Sequence, residues 1–289
     1  MNLPSFLVAA FPKRPLDLHK YSAGVVTVVG GSGRYINAPV IAGLGARAGG
    51  AGLVQLVVPD ASRIAAGALV PEATFLKQTP TCVPPRADVT VVGMGLGVTP
   101  NAEMLVSRIL SGSAGRFVLD ADALTILANW YAKRPTALQA VAGQSLVLTP
   151  HVGEAARLLA CRTEDIQADR TAAIRKLVAR YHATVVLKGP HTLVAAPDRD
   201  EIFTCEAGNP FMAMGGMGDL LSGILAARWA YLSKFNLDGF MAAAAAVWLH
   251  AAASDSLVNA TPPVDPSIVR TASAVGSLRV QLERPAAHV

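Results

Sequence analysis

Cysteine is scarce in this 289-residue sequence, which contains only three. Cys82, Cys161 and Cys205 lie far apart and form no CxxC pair. This spacing excludes a disulfide framework and a zinc knuckle, and it predicts a protein of a reducing compartment. Charged residues are also few, at 16% against 52% hydrophobic residues. A chain of this composition is predicted to fold rather than to be disordered.

Several common enzyme motifs are missing. No Gly-Lys dipeptide occurs, which excludes a Walker A phosphate loop. Two glycine-rich turns lack the third glycine of a dinucleotide-binding fingerprint, because Ile36 and Val98 stand at that position. The motifs HExxH and GxSxG are absent as well. The main motif evidence for a Rossmann oxidoreductase or an ordinary hydrolase is therefore absent from this sequence.

The sequence also lacks a basic stripe and a clear membrane segment. Lys and Arg number 25 against 20 Asp and Glu, a scattered excess that suits an anionic small molecule better than a nucleic acid. The longest apolar run, residues 240–253, is interrupted by His250, is too short for a membrane span and predicts a buried Ala-rich helix. Pro4, Pro12 and Pro15 break up any signal-peptide pattern. We expect a cytoplasmic protein that binds neither membrane nor nucleic acid.

What the sequence does contain is a regular alternation of short β-branched runs and Ala/Leu-rich stretches. The predicted strands are Val25–Val29, Leu53–Val58, Asp88–Val92, Phe117–Leu119, Leu146–Leu148 and Thr184–Leu187. Helices are predicted at Ala38–Ala48, Ala102–Leu110, Ala121–Asn129, Gly153–Leu159, Arg170–Tyr181, Asp219–Tyr231, Gly239–Ser256 and Ser267–Arg284. Continuous apolar strands are typical of a sheet covered on both faces. The pattern predicts an α/β fold with a mostly parallel, doubly wound sheet, in one domain over residues 1–289.

Glycine or polar residues follow five of these strands, in the segments 30–33, 93–97, 120–123, 149–154 and 188–192. Parallel strands end at one edge of a sheet, so these segments are expected to converge there. Each could simply be a turn, but five together favour a ligand site. Lys188 ends an apolar strand and needs an anionic partner, for which a phosphate is the natural candidate. Asp120 and Asp122 are candidate caps of the next helix, and Asp122 could instead reach a ligand or metal.

The segment with the most specific functional pattern runs from Asn209 to Asp219 and contains Gly215-Gly-Met-Gly-Asp219. Its three glycines, at positions 215, 216 and 218, let backbone amides approach an anion, and the helix that follows directs its positive end to the same place. Asp219 is either a helix N-cap or a general base beside this anion hole. A bare carboxylate next to an anion hole is electrostatically costly, which favours the catalytic interpretation.

These segments together resemble a known family. Gly215 to Asp219 is similar to the anion hole of ribokinase-like kinases. The further matching segments are His19-Lys20, Gly30-Gly31-Ser32, 120–124, 149–154, 188–192 and 209–219. In this order and spacing they resemble the ADP/ATP-dependent NAD(P)H-hydrate dehydratases, over roughly residues 19–255. The resemblance implies a three-layer ribokinase-like fold.

The resemblance also implies a reaction, in which hydrated NADH or NADPH is phosphorylated on its ring hydroxyl and then loses phosphate. Asp219 would activate the hydroxyl and contact the substrate. The anion hole would comprise Gly215, Gly216 and Gly218. The nucleotide-binding residues would be Lys188, Gly189, Pro190, His191, Thr192 and Gly218, and the substrate-binding residues Ala38, Gly95 and His151. Mg²⁺ is expected with the nucleotide phosphates, and ADP is favoured over ATP as the co-substrate.

Two residues depart from the family pattern, Met217 in place of Thr and Val152 in place of Pro. Met217 keeps its backbone amide but removes a hydroxyl from the anion hole, which could cost about 2–4 kcal/mol of transition-state stabilisation. Two alternatives therefore stay open. The chain could be another ribokinase-like small-alcohol kinase, which would release a stable phosphorylated product. It could also be a nucleotide-binding protein with weakened catalysis.

Partners and assembly follow from the same resemblance. The family works with an epimerase that interconverts the two hydrate forms, and we expect that activity on a separate chain. The Gly/Ala-rich segment Ala42–Gly52 and the resemblance predict a homotetramer. His250, on an apolar helix, is predicted to be a core histidine with a hydrogen-bond partner.

Overall fold

The computed structural model describes residues 2–112, 115–133, 145–197 and 199–285. A nine-stranded sheet forms its centre. The strands are β1 Val25–Val29, β2 Leu53–Val58, β3 Thr74–Lys77, β4 Val89–Val92, β5 Arg116–Leu119, β6 Ser145–Leu148, β7 Thr184–Leu187, β8 Leu193–Ala195 and β9 Phe203–Thr204. Their order across the sheet is β3-β2-β1-β4-β5-β6-β7-β8-β9. All neighbours from β3 to β7 pair in parallel, whereas β8 and β9 pair antiparallel.

Ten helices cover this sheet. They are α1 Ala38–Gly49, α2 Asp60–Leu69, α3 Pro100–Leu110, α4 Asp122–Lys133, α5 Val152–Leu159, α6 Thr163–Ala168, α7 Arg170–Tyr181, α8 Met217–Leu232, α9 Gly239–Val258 and α10 Ile268–Glu283, counted in the described ranges. Buried side chains of α1, α8, α9 and α10 form the core on one face. Those of α3, α4, α5 and α7 form the core on the other. The predicted α/β architecture with helices on both faces is confirmed.

The six predicted strands are present, and three further strands were not predicted. Strand β3 is half-exposed to exposed along its length, so it lacks the apolar run by which the others were recognised. Strands β8 and β9 have three and two residues and form an antiparallel edge. Helices α2 and α6 were also missed. Short edge elements depend on their neighbours rather than on their own pattern.

Helix α9 shows why apolar length alone is a weak indicator. With 20 residues it is long and apolar enough to cross a membrane, and in that respect the expectation of a segment too short to span was wrong. However, 78% of its apolar window is buried inside the protein. It packs against α8 and α10 and against strands of the sheet. Its burial is that of a core helix, as predicted from the Ala-rich run.

The strand order reverses between β1 and β4, and this reversal opens a crevice at the carboxyl edge of the sheet. The loops after the two strands touch there, because the Gly31 amide donates a hydrogen bond of 2.9 Å to the Met94 carbonyl. Gly95 has a φ of +64°, and a Cβ on it would lie 2.5 Å from the Cβ of Tyr35. The fold therefore requires glycine at this close approach of two loops.

Candidate active site

The anion-hole segment lies at the amino end of α8. Gly216 occupies the N-cap position with a φ of +94°, which is a left-handed conformation that favours glycine. Asp219 lies in the first turn of the helix and not at the cap, so the N-cap interpretation of this residue was wrong. The first amides of the helix have no side-chain cap. They are therefore available to an anion, whose charge the helix dipole favours.

Asp219 is held in an environment that raises its proton affinity. Burial, together with the negative charges of Asp120 and Glu154, raises the pKa of its carboxyl to about 7, against the opposing effect of Lys188. Among the described residues no hydrogen bond to this carboxylate is present. A carboxyl with a pKa near neutrality is suited to accept a proton from a hydroxyl.

Lys188, which follows β7, has a different partner from the predicted phosphate. Its Nζ donates a hydrogen bond of 2.8 Å to Oδ1 of Asp120 and lies 3.9 Å from Oε2 of Glu154. Burial alone would lower the pKa of Lys188, but these two carboxylates outweigh it and raise the pKa. The ammonium nevertheless borders the anion hole, since a Cβ placed on Gly218 would lie 3.2 Å from Nζ.

The predicted nucleotide-binding residues surround one cleft. Lys188, Gly189, Pro190, His191, Thr192 and Gly218 all line a cavity of about 560 Å³. Its remaining walls come from segment 205–213, the start of α8 and the middle of α9, and include Met217, Leu221 and Val247. The cleft thus combines glycine and polar residues with a largely apolar surface. This is the distribution that a nucleotide requires for its phosphates and its base.

Arg170 and Asp255 support the cleft, although neither was predicted. Arg170 on α7 donates a hydrogen bond of 3.0 Å to the Leu187 carbonyl and another to the Pro190 carbonyl. Asp255 on α9 accepts bonds of 2.8 Å each from the Gly208 amide and the Asn209 side chain. They anchor the two loops that border the cleft. Each partner pair is distant in sequence, so no local pattern could reveal it.

The predicted substrate-binding residues lie at the carboxyl edge of the sheet, where Ala38 and Gly95 approach each other and His151 caps a helix. Ala38 begins α1 and faces Gly95, since a Cβ on Gly95 would lie 3.2 Å from that of Ala38. His151 caps α5, because its Nδ1 accepts bonds from the amides of Gly153 and Glu154 at 2.9 and 3.3 Å. The side chain of His151 remains 59% exposed, and its Nε2 lies 3.5 Å from Oε1 of Glu154.

Three more residues that the sequence singled out are Asp122, Val152 and His250. Asp122 accepts a bond of 2.7 Å from the Gly97 amide and so ties α4 to the loop after β4. Val152 begins α5 without disturbing it. His250 is buried as predicted, but its Nε2 has no hydrogen-bond partner among the described residues, so the predicted partner was wrong.

The surroundings of the Lys188 ammonium contain more carboxylates than cationic groups. Within the described ranges, no group of three or more His, Cys, Asp or Glu side chains is arranged to hold a metal ion by itself. Asp120, Glu154 and Asp219 nevertheless surround a single ammonium. A polyphosphate entering this acidic surrounding would gain from a cation bound to its own oxygens. These residues therefore fit a Mg²⁺ ion that is carried mainly by phosphate.

Comparisons with known proteins agree with this geometry. The family model of the NAD(P)H-hydrate dehydratases matches residues 26–271. The ADP-dependent (S)-NAD(P)H-hydrate dehydratase of Neisseria meningitidis is 42% identical over 249 residues, 85% of this chain and 81% of that protein. A bifunctional NAD(P)H-hydrate repair enzyme of Gloeobacter violaceus is 37% identical over 88% of this chain. The chain spans about half of that enzyme, 49% of its length.

Solved structures show the same fold. The ADP/ATP-dependent NAD(P)H-hydrate dehydratase of Bacillus subtilis, co-crystallised with ATP and Mg²⁺, superposes with a TM-score of 0.82 at 25% identity, over 98% of this chain and all of that one. A ribokinase-like superfamily protein of Enterococcus faecalis superposes with a TM-score of 0.78 at 24% identity, over 98% and 96%. The chain thus has the ribokinase-like fold and belongs to the NAD(P)H-hydrate dehydratase family.

Proposed function

We propose that this protein dehydrates the S form of hydrated NADH or NADPH, with ADP rather than ATP as the favoured co-substrate. The observation that carries the proposal is Asp219, a carboxyl with a pKa of about 7 placed directly behind a glycine anion hole and beside a nucleotide-sized cleft. The similarity to the Neisseria enzyme supports the choice of ADP. It also makes the plain-kinase and weakened-binding alternatives less favoured.

The residues suggest how the reaction proceeds. Asp219 accepts the proton of the ring hydroxyl, and the oxygen of that hydroxyl attacks the terminal phosphorus of the nucleotide. The bond from that phosphorus to the bridging oxygen breaks, and AMP leaves when ADP is the donor. The amides of Gly215, Gly216 and Gly218 stabilise the transferring phosphoryl group. The ring nitrogen then donates its electron pair, the carbon–oxygen bond breaks, and phosphate departs to leave a ring iminium ion. The neighbouring ring carbon loses a proton, and its electron pair forms the carbon–carbon double bond of NAD(P)H.

Magnesium would supply charge neutralisation for the phosphates when bound. The Bacillus structure, obtained with ATP and Mg²⁺, supports this expectation. The first test is recovery of dihydronicotinamide absorbance from hydrated NADH with Mg²⁺ and either ADP or ATP. We expect recovery that depends on the nucleotide and is faster with ADP. Absence of recovery with both nucleotides, while calorimetry still detects their binding, would contradict the proposal.

A variant tests the role of Asp219. Asp219→Asn should lower turnover by roughly 100- to 10,000-fold, because it removes the general base. The kcat/KM of the unaltered protein should rise with pH through about 7, where the Asp219 carboxyl loses its proton. The matched control is Asp17→Asn, a substitution of an exposed residue, which should leave turnover and the pH profile unchanged. Unchanged turnover in Asp219→Asn would identify a different base.

We also propose that the protein is a cytoplasmic homotetramer that works with an epimerase of the hydrate forms. The reducing-compartment composition supports the location. The bifunctional relatives, about twice as long, support a partner activity. Light scattering of the purified protein tests the assembly, and a monomer at micromolar concentration would contradict it.

A further inference from the structure

Asp120 connects three parts of the active site from a buried position. It follows β5 and is 1% exposed. Its Oδ1 accepts a hydrogen bond of 2.8 Å from Nζ of Lys188 and another of 2.9 Å from the Ala121 amide. Its Oδ2 accepts a bond of 2.6 Å from Oγ of Ser222. Both oxygens of this carboxylate are therefore occupied by fixed donors.

Ser222 makes this arrangement relevant to the general base. It lies on α8, three residues after Asp219, so the two side chains are neighbours on one helix. Ser222 is fully buried, and its hydroxyl also lies 3.4 Å from that of Thr149 at the end of β6. Through Ser222, Asp120 is attached to the helix turn that carries Asp219.

Lys188 provides the second connection. Its side chain is 18% exposed, and its ammonium lies near Asp120, Glu154 and the backbone of Gly218. An ammonium has three protons to donate, of which Asp120 takes one. Without Asp120 the ammonium would be free to turn toward the carboxylate of Asp219. The position of Lys188 therefore depends on Asp120. The electrostatic attraction of its ammonium for the Asp219 carboxylate depends on Asp120 as well.

From these contacts we infer that Asp120 is a positioning residue, which keeps Lys188 away from Asp219 and so preserves Asp219 as a base. The inference rests on the proposed function. The charged groups that act on Asp219 are Asp120 after β5, Asp122 on α4, Glu154 on α5 and Lys188 after β7. Removing the charge of Asp120 has two effects on Asp219, and both lower the proton affinity of its carboxylate. A repelling carboxylate is lost, and an attracting ammonium is released toward it.

The experiment is the pH dependence of kcat/KM in Asp120→Asn. The amide is isosteric and can still accept from Ser222. We expect the midpoint of the rising limb to move down by about one pH unit, turnover above that midpoint to fall roughly tenfold because the base is weaker, and the KM of the nucleotide to stay within about threefold of its original value. A merely structural role would lower stability and leave the midpoint in place.

Two comparisons make the result decisive. Asp122→Asn removes a carboxylate that does not contact Lys188, and its midpoint should move by less than half of the shift in Asp120→Asn. A folded Asp120→Asn with an unmoved midpoint would overturn the inference. If Asp120→Asn fails to fold, Lys188→Met decides, because the inference requires the Lys188 ammonium to act on Asp219. The midpoint should then move up, and a midpoint that stays in place would overturn the inference. Inactivity of the unaltered protein would instead count against the proposed function.

Discussion

At the scale of single residues, Met217 has two environments. Its amide belongs to the segment proposed as the anion hole, whereas its side chain is 5% exposed, packs in the core and lines the cleft proposed for the nucleotide. Met217→Thr should restore a hydroxyl near the anion hole and remove buried apolar surface. We expect turnover to rise roughly 10- to 100-fold, nucleotide affinity to change little, and the free energy of unfolding to fall by about 2 kcal/mol.

Steady-state kinetics and urea denaturation measure these two effects. Met217→Leu is the matched control, because it preserves apolar volume without a hydroxyl and should change neither quantity much. Equal or lower turnover in Met217→Thr would mean that the threonine hydroxyl is not what the anion hole lacks.

His250 is a second residue with a pH-dependent consequence. Burial lowers its pKa from 6.5 to about 4, so the folded protein binds this proton less well than the unfolded chain. The contribution of the neutral His250 to stability is therefore fully present above about pH 6.5. It is lost as the pH falls from there toward 4, and the free energy of unfolding falls by about 3 kcal/mol. His250→Leu should remove this loss. Urea denaturation at pH 7 and pH 4 measures it.

The control for that experiment is His182→Asn. His182 is exposed, and its φ of +47° is a conformation that asparagine accepts. The variant should keep the acid sensitivity of the original protein. If His250→Leu loses as much stability between pH 7 and 4 as the original, buried neutral histidine is not the cause.

At the scale of elements, the contact of α1 with α8 sets the positions of Ala38 and Asp219. The two helices approach so closely that a Cβ on Gly223 would lie 1.9 Å from the Ala42 carbonyl oxygen, and one on Gly45 would lie 2.2 Å from that of Leu220. The Gly/Ala-rich segment that suggested a tetramer interface therefore serves this internal contact. The proposed tetramer now depends on family resemblance alone.

Gly223→Ala tests this contact. We expect the free energy of unfolding to fall by about 3 kcal/mol, because the helices must separate to admit the methyl group. Gly276→Ala on α10 is the control, since a Cβ there has no neighbour within 4 Å. That substitution should stabilise the protein by up to about 1 kcal/mol through helix propensity. Urea denaturation of both variants gives the comparison, and equal effects would show that close packing is not limiting.

At the scale of the whole molecule, Glu283 joins distant parts of the chain. Its carboxylate is 1% exposed and binds Arg14 and Arg279, both at 2.8 Å, and the fully buried Arg228. The arginines extend the connection, because Arg14 donates to the Gly50 carbonyl at 2.9 Å and Arg279 to the Ala48 carbonyl at 3.0 Å. The cluster ties the segment before β1 and helices α1, α8 and α10 together. It gives the C-terminal helix a structural role that its sequence did not indicate.

Glu283→Gln should lower the free energy of unfolding at pH 7 by about 3–5 kcal/mol, because it leaves buried arginines without their counter-charge. Burial alone would raise the pKa of Glu283, but the three arginines outweigh it and lower the pKa below 4.5. This stability is therefore present above about pH 4.5 and is lost as the pH falls through the lowered pKa. Glu201→Gln, at an exposed position, is the control. A loss below about 1 kcal/mol at pH 7 would contradict a stabilising cluster.

The sequence by itself determined the core strands of the sheet and the glycine-rich helix start that carries Asp219. Both depend on local properties. Apolar β-branched runs such as Val25–Val29 specify buried strands, and glycines next to Asp219 specify backbone exposed at a helix start. The segment 188–192 was likewise recognisable, and it lines the cleft with Gly218.

Only the tertiary structure decided which charges meet. Lys188 pairs with Asp120 across 68 positions, and Asp120 binds Ser222 across 102, so neither contact leaves a trace in local sequence. The same holds for the edge strands β8 and β9, which are too short to specify themselves. The proton affinity of Asp219 arises from burial and from carboxylates brought by three other elements. Electrostatic energy depends on distance in space, and folding sets that distance.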